Sequence, residues 1–273
     1  MNAFDPSLLL FVPGDRPDRF AKALESGASG AILDLEDAVS PDRKAVAREA
    51  VRAFLEGAAD RSRVAVRMNP PAGDDGRTDL AMLAAAPAPA ALLVPKVDDA
   101  ATLARITAGL GGVPLIALIE TARGLTHCEA IAATDGVLAL AFGPYDLAAE
   151  LGGESTRDVL LPHRARMMVA ARAGGVWALD GPSREYGNPA IPAADADHAR
   201  RLGFDGKLLI HPAQIAPVRA AFTPSSEELA YARRIVAAAE RGSPAVLDGT
   251  MIDTPIVTAA LRIVARAGVP RLR

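Results

Sequence analysis

The sequence predicts an α/β protein, a (β/α)8 barrel of the TIM type carrying a C-terminal helical extension. Three observations lead there. Eight short, nearly continuous apolar runs recur along the first 211 residues, as expected of strands buried on both faces. Longer helix-like segments separate them, and strict alternation of strand and helix implies a parallel sheet. Eight such units in about 220 residues suit a closed barrel better than an open doubly wound sheet, which is the competing reading.

The runs are LLLFVP (8–13), AILDLE (31–36), VAVRMN (64–69), ALLVPK (91–96), LIALIE (115–120), VLALAFG (137–143), VWALD (176–180) and GKLLIH (206–211). Helices are predicted over 17–26 and 41–56, each opened by a proline suited to a first turn, the second behind Ser40 as N-cap. More are predicted near 77–86, 98–108, 122–133, 161–174, 193–202 and 212–221. The domain boundary is set at 222/223: residues 1–222 form the catalytic barrel, and 223–273 pack outside it or on a neighbouring subunit. Within that tail, 227–241 reads as a helix capped by Ser225 or Ser226, 243–255 as turns, and 255–267 as a last helix.

Composition narrows the function. The 273 residues are 50% hydrophobic with 30 basic and 33 acidic side chains, a net charge of -3, so the basic excess of a nucleic-acid binder is missing. One cysteine, Cys128, excludes an internal disulfide framework and a cysteine-based zinc site, and fits a reducing cytoplasm. Neither a secretory signal nor a membrane span is expected: the longest uncharged run, 80–95, is interrupted by Pro87, Pro89 and Pro95. The paired glycines form no phosphate loop or dinucleotide fingerprint.

The strongest functional signal is the residue type that ends each run. Glu36 and Asp37, Arg67 and Asn69, Lys96, Glu120, Asp146, Asp180 and His211 all fall at or just past a strand's C-terminal end, which is where this fold builds its active sites. Glu120 and Asp146, on adjacent units with no cysteine or histidine pair nearby, are the metal candidates. Their oxygens suit Mg²⁺, or Mn²⁺ in its place, with coordination positions left for water and substrate. Arg67 offers a planar fork for a carboxylate or a developing oxyanion, against an ion pair with Glu36 or Asp37 as its structural alternative. Lys96 could form a Schiff base or be held by a nearby acid. His211 reads as a packing or hydrogen-bonding residue, Trp177 as core and Cys128 as a small buried hydrophobe.

Eight segments together resemble the citrate lyase β-subunit-like proteins of the HpcH/HpaI aldolase and citrate lyase superfamily: FVPGDRPDRFAKA (11–23), GAILDLEDAVSPDRKAVAR (30–48), VRMNP (66–70), VPK (94–96), LIETARGL (118–125), FGPYDLAAELG (142–152), GFDGKLLIHPAQI (203–215) and GTMIDTP (249–255). The resemblance implies a metal-dependent carbon–carbon lyase acting on a CoA thioester with a hydroxyl and a carboxylate on its third carbon, of the citryl-, malyl- or citramalyl-CoA type. It implies that Glu120 and Asp146 hold Mg²⁺, that Arg67 contacts the substrate carbonyl, and that Glu36 and Asp37 lie near the metal and its waters. It also implies that Asp253 is an acid given to a neighbouring subunit's site, in a homotrimer or hexamer. The CoA phosphates would need cations, for which Arg16, Arg19 and Lys22 are the candidates.

Two features depart from the pattern. Tyr145 stands where such sequences often carry an acid, and the chain is compact for a subunit of multi-subunit citrate lyase, so a stand-alone enzyme fits better. The alternatives are a metal-dependent aldolase on free 2-keto acids, a Schiff-base aldolase using Lys96, and a catalytically silent acyl-CoA-binding subunit.

Overall fold

The structure, a computed structural model, describes residues 4–240, 245–248 and 250–268. Eight parallel strands close on themselves in sequence order: β1 (Leu8–Pro13), β2 (Gly30–Asp34), β3 (Val64–Arg67), β4 (Ala91–Val94), β5 (Leu115–Ile119), β6 (Val137–Phe142), β7 (Trp177–Asp180) and β8 (Gly206–Leu209). The ring is sealed by β1 pairing with β8, Leu8 to Lys207 through Leu10 to Leu209. Gly206 makes this closure possible, because a Cβ there would lie 2.1 Å from the Ser7 carbonyl oxygen.

Helices α1 (Phe20–Glu25), α2 (Lys44–Gly57), α3 (Asp74–Ala85), α4 (Ala100–Gly109), α5 (Ala122–Thr126), α6 (Cys128–Ala132), α7 (Pro144–Leu151), α8 (Arg157–Gly174), α9 (Ala190–Leu202) and α10 (Ile215–Phe222) connect and follow the strands. The prolines at 17, 41 and 212 open short 3-10 turns, and α1, α2 and α10 continue from them. Strands β2, β3, β4 and β5 stop short of the last polar residue of their apolar runs, at Asp34, Arg67, Val94 and Ile119. Glu36, Asn69, Lys96 and Glu120 therefore stand on the loops above the sheet. Helix α7, which the apolar periodicity does not announce, begins at Pro144 directly after β6.

Side-chain direction follows the two-residue period of the strands. Leu9, Ile32, Ala65, Leu93, Ile116, Leu118, Ala139, Ala141, Leu179 and Leu208 share one buried cluster, the barrel interior. Counting on by two from those positions, Asp34, Arg67, Glu120 and Gly143 continue the inward-facing set at the C-terminal mouth. Positions 180 and 207 are out of phase with Leu179 and Leu208 and face away from the axis. Cys128 is buried and free, and Trp177 packs partly buried against the interior cluster.

The chain divides into two compact units, residues 2–218 and the residues from 219 onward. The second has its own core, in which Ala232, Ile235, Ala238, Ile252 and Ala260 are buried together. It consists of α11 (Ser226–Ala239), a two-stranded antiparallel sheet of β9 (Ala245–Leu247) and β10 (Thr250–Ile252), and α12 (Thr254–Gly268). Ser225 caps α11 in a reciprocal capping box with Glu228. The strand pair corrects the turn-only reading of this stretch; residues 241–244 and 249 lie outside the described set. Among the described residues, no helix is long and apolar enough to cross a membrane.

Candidate active site

The mouth of the barrel holds a cavity of about 370 Å³ whose lining includes Phe11, Asp34, Asp37, Arg67, Glu120, Tyr145, Asp146 and Arg184. Asp34 organises one side. Its carboxylate accepts the backbone N–H groups of Glu36 (2.9 Å) and Ala38 (3.1 Å), which folds the loop after β2 over the strand end. The same two oxygens take Arg67 in a bidentate grip, Nε at 2.7 Å and Nη2 at 2.6 Å. Nη1 of Arg67 lies 2.8 Å from Glu36 Oε2 and donates to Asp37 Oδ2 at 3.3 Å, while the guanidinium covers the Phe11 ring. The fork is thus fixed in place and remains charged inside a buried setting.

Glu120 and Asp146 meet at Lys96 in the same cavity. The Lys96 ammonium lies 2.5 Å from Asp146 Oδ1 and 3.5 Å from Glu120 Oε1, so the two carboxylates cannot be farther apart than those distances laid end to end. The Lys96 N–H also donates to Glu120 Oε1 at 2.9 Å. Lys96 has φ +50°, a left-handed conformation costly for a residue with a Cβ, and this turn brings both its nitrogens to the acids. Gly143 leaves room for Glu120: a Cβ there would lie 2.3 Å from the Glu120 Cβ and 2.8 Å from Oε2.

Burial pushes the Glu120 carboxyl up to about 7 despite Lys96, and the Glu36 carboxyl up to about 8 despite Arg67. Glu36 Oε2 is buried and accepts no well-directed hydrogen bond, but it lies in ion-pair contact with Arg67. Among the described residues, no three or more His, Cys, Asp or Glu side chains form a ligand cluster. The donor set is two carboxylates converging on the Lys96 ammonium, with no imidazole or thiolate beside them. It suits a hard divalent cation that keeps most of its own water.

The Lys96 ammonium is opposed by its burial, but Asp146 and Glu120 more than offset this and hold it above the ordinary lysine range. An amine that two carboxylates favour in its charged form is a poorer nucleophile, which counts against the Schiff-base alternative.

Other expected residues lie elsewhere. Asp180 does not join the mouth, because its position in β7 faces outward; it pairs there with Arg164 and Lys207. His211 accepts the Ala213 N–H as a cap and stacks on Tyr186. Asn69 is structural, bonding the Leu35 carbonyl and Asp79. Arg16 pairs with Asp18, and Arg19 and Lys22 are exposed on the segment after β1; none of the three lines the cavity. Asp253 Oδ1 accepts the Ile256 N–H at the start of α12, within the C-terminal unit. The residue that sequence reasoning misses is Asp34. Its signal is an acid in phase with the interior positions of an otherwise apolar strand.

The comparisons with known proteins agree with this architecture. Residues 7–212 match the family HpcH/HpaI aldolase/citrate lyase. A citrate lyase subunit beta-like protein from Mycobacterium tuberculosis is 40% identical over 268 residues, covering 95% of this chain and 94% of that protein. A (3S)-malyl-CoA thioesterase from Cereibacter sphaeroides is 36% identical over 268 residues, 95% of this chain and 93% of its own. A crystal structure of protein CitE from M. tuberculosis in complex with magnesium, acetoacetate and coenzyme A superposes with a TM-score of 0.87 at 37% identity, covering 97% of this chain and 99% of that one. A match of this extent in sequence and in backbone places the chain in the HpcH/HpaI aldolase/citrate lyase family.

Proposed function

We propose that this protein is a Mg²⁺-dependent carbon–carbon lyase that cleaves a 3-hydroxy-3-carboxyacyl-CoA to a 2-keto acid and a shorter acyl-CoA. The observation that carries the reading is the convergence of Glu120 and Asp146 on one cation position, in the same cavity as an immobilised Arg67. The relatives named for citrate lyase and malyl-CoA chemistry, and the CitE complex with magnesium and coenzyme A, support the substrate class and the cofactor.

Glu120 and Asp146 hold the cation. When bound, Mg²⁺ supplies Lewis acidity to the substrate hydroxyl and carboxylate. Arg67 faces the thioester oxygen and stabilises the negative charge that develops there as the carbon–carbon bond breaks. One preorganised donor of this kind is worth about 2.7–4 kcal/mol. Asp34 holds the fork at the right angle, and Glu36 and Asp37 keep its third nitrogen in place. Asp253, from a neighbouring copy in a trimer or hexamer, protonates the acyl-CoA α-carbon, or removes that proton in the condensation direction. Arg16, Arg19 and Lys22 bind the CoA phosphates.

A second reading, hydrolysis of the thioester, is favoured by the relative named as a thioesterase. The deciding experiment incubates the protein with citryl-, malyl-, citramalyl- and methylmalyl-type CoA thioesters, with and without Mg²⁺, and measures 2-keto acid and free thiol separately. Keto acid formed without free thiol supports the lyase; free thiol formed without keto acid refutes it. Glu120→Ala and Asp146→Ala are expected to abolish Mg²⁺-dependent turnover while leaving the circular-dichroism spectrum unchanged. Turnover by the double variant would refute the metal site.

A further inference from the structure

A second polar cavity, about 60 Å³, lies behind the mouth, among β7, β8, α8 and α9. Pro144, Tyr145 and Pro182 line both cavities and form the wall between them. Asp180 and Lys207 reach the smaller one because their strand positions point away from the barrel axis. Asp180 accepts Arg164 Nε at 2.9 Å and Lys207 Nζ at 2.7 Å. Lys207 also donates to the Gly181 carbonyl. Asp180, Lys207 and Arg164 are 2%, 2% and 7% exposed, so two buried cations share one buried carboxylate. The remaining charged groups of the lining, Arg157 and Asp195, pair with each other, and Ser183 donates to Asp195 as well.

The lining therefore carries one positive charge in excess. It also has two nitrogens with no partner, Arg164 Nη1 and His198 Nε2. Arg164 cannot easily turn away, because its guanidinium lies over the Phe142 ring while Nε is held by Asp180. Burial, with Arg157 and Arg164 close by, keeps His198 below its ordinary range, so the imidazole does not add to the charge.

We propose that this cavity binds one small monovalent anion of the halide class, held by Arg164 Nη1 and His198 Nε2. Water would satisfy the two nitrogens but leave the excess charge, and an uncompensated buried charge is costly. The volume suits an ion the size of one or two waters and excludes phosphate together with its hydration. A single negative charge brings the lining to neutrality. The site is separate from the cation position at Glu120 and Asp146 and does not depend on the proposed reaction.

Crystals of the full chain soaked in sodium bromide test this directly. One anomalous peak within hydrogen-bond distance of Arg164 Nη1 and His198 Nε2 is expected. In solution, bromide should raise Tm above fluoride at equal ionic strength, by a difference that grows with the logarithm of bromide concentration once the site is filled. Arg164→Met should abolish that difference. Should Arg164→Met not fold, His198→Leu removes one donor without removing charge and should weaken the bromide effect at least tenfold. A cavity containing only water, superimposable bromide and fluoride melting curves, or a peak seen only at molar bromide with no Tm difference (an adventitious ion only) would overturn the proposal.

Discussion

Arg67 is oriented before any substrate arrives. Its two bonds to Asp34 tie it to the strand that also holds the loop carrying Glu36 and Asp37. Asp34→Asn keeps the shape but removes the charge on which the fork rests. A loss of about 3 kcal/mol in urea denaturation is expected, as for other broken buried pairs, together with turnover roughly a hundredfold lower as Arg67 loses its angle. An unchanged urea midpoint would show that Asp34 does not anchor Arg67. Glu36 has the opposite effect on stability. Its carboxyl sits at about 8 in the folded protein, above the ordinary glutamate value, so the native state binds the extra proton. The stability that protonated Glu36 retains is intact at pH 4.5 and is lost as the pH rises through about 8. Glu36→Gln should flatten this part of the stability–pH curve in EDTA. An equally steep curve in the variant would assign the slope to other groups.

At the scale of elements, the strands are legible in sequence because an apolar run bounded by glycine, proline or acid has few other readings. β1 coincides with its run, and the other seven begin within one residue of theirs. Their ends are less legible: Glu36, Asn69 and Glu120 extend the run chemically but have left the hydrogen-bonded ladder. Phase is the finer signal. It separates inward Arg67 and Glu120 from outward Asp180, which strand-end position alone groups together. The conformation of Lys96 is not written in any local pattern, since VPK has no glycine or asparagine to announce a left-handed residue. Helix α7 escapes detection because its first turn, Pro-Tyr-Asp, reads as the exit of β6. The β6–α7 junction also gives an element-level prediction. Gly143→Ala inserts a Cβ into the space of the Glu120 side chain, at a cost of about 1–3 kcal/mol. Mg²⁺ affinity measured by calorimetry should fall at least tenfold. Wild-type affinity would mean that Glu120 can move aside without penalty.

For the whole molecule, the test of Asp253 is complementation. Asp253→Asn and Arg67→Ala are each expected to be inactive alone. If one copy's Asp253 serves another copy's mouth, mixing the two after mild dissociation creates some sites with both wild-type residues. Activity should then return to a fraction of wild type; no recovery would confine Asp253 to a role within its own chain. The barrel also limits how copies can meet. Every strand of the ring has a neighbour on both sides, so that unit offers no open row of amides and carbonyls to another polypeptide. Among the described residues, β9 and β10 are each paired on one side only, and Val246 and Met251 project from them largely exposed. Among the described residues, backbone-mediated joining of subunits, or runaway strand stacking under stress, therefore has its open strand edges in that small ribbon near the C-terminus.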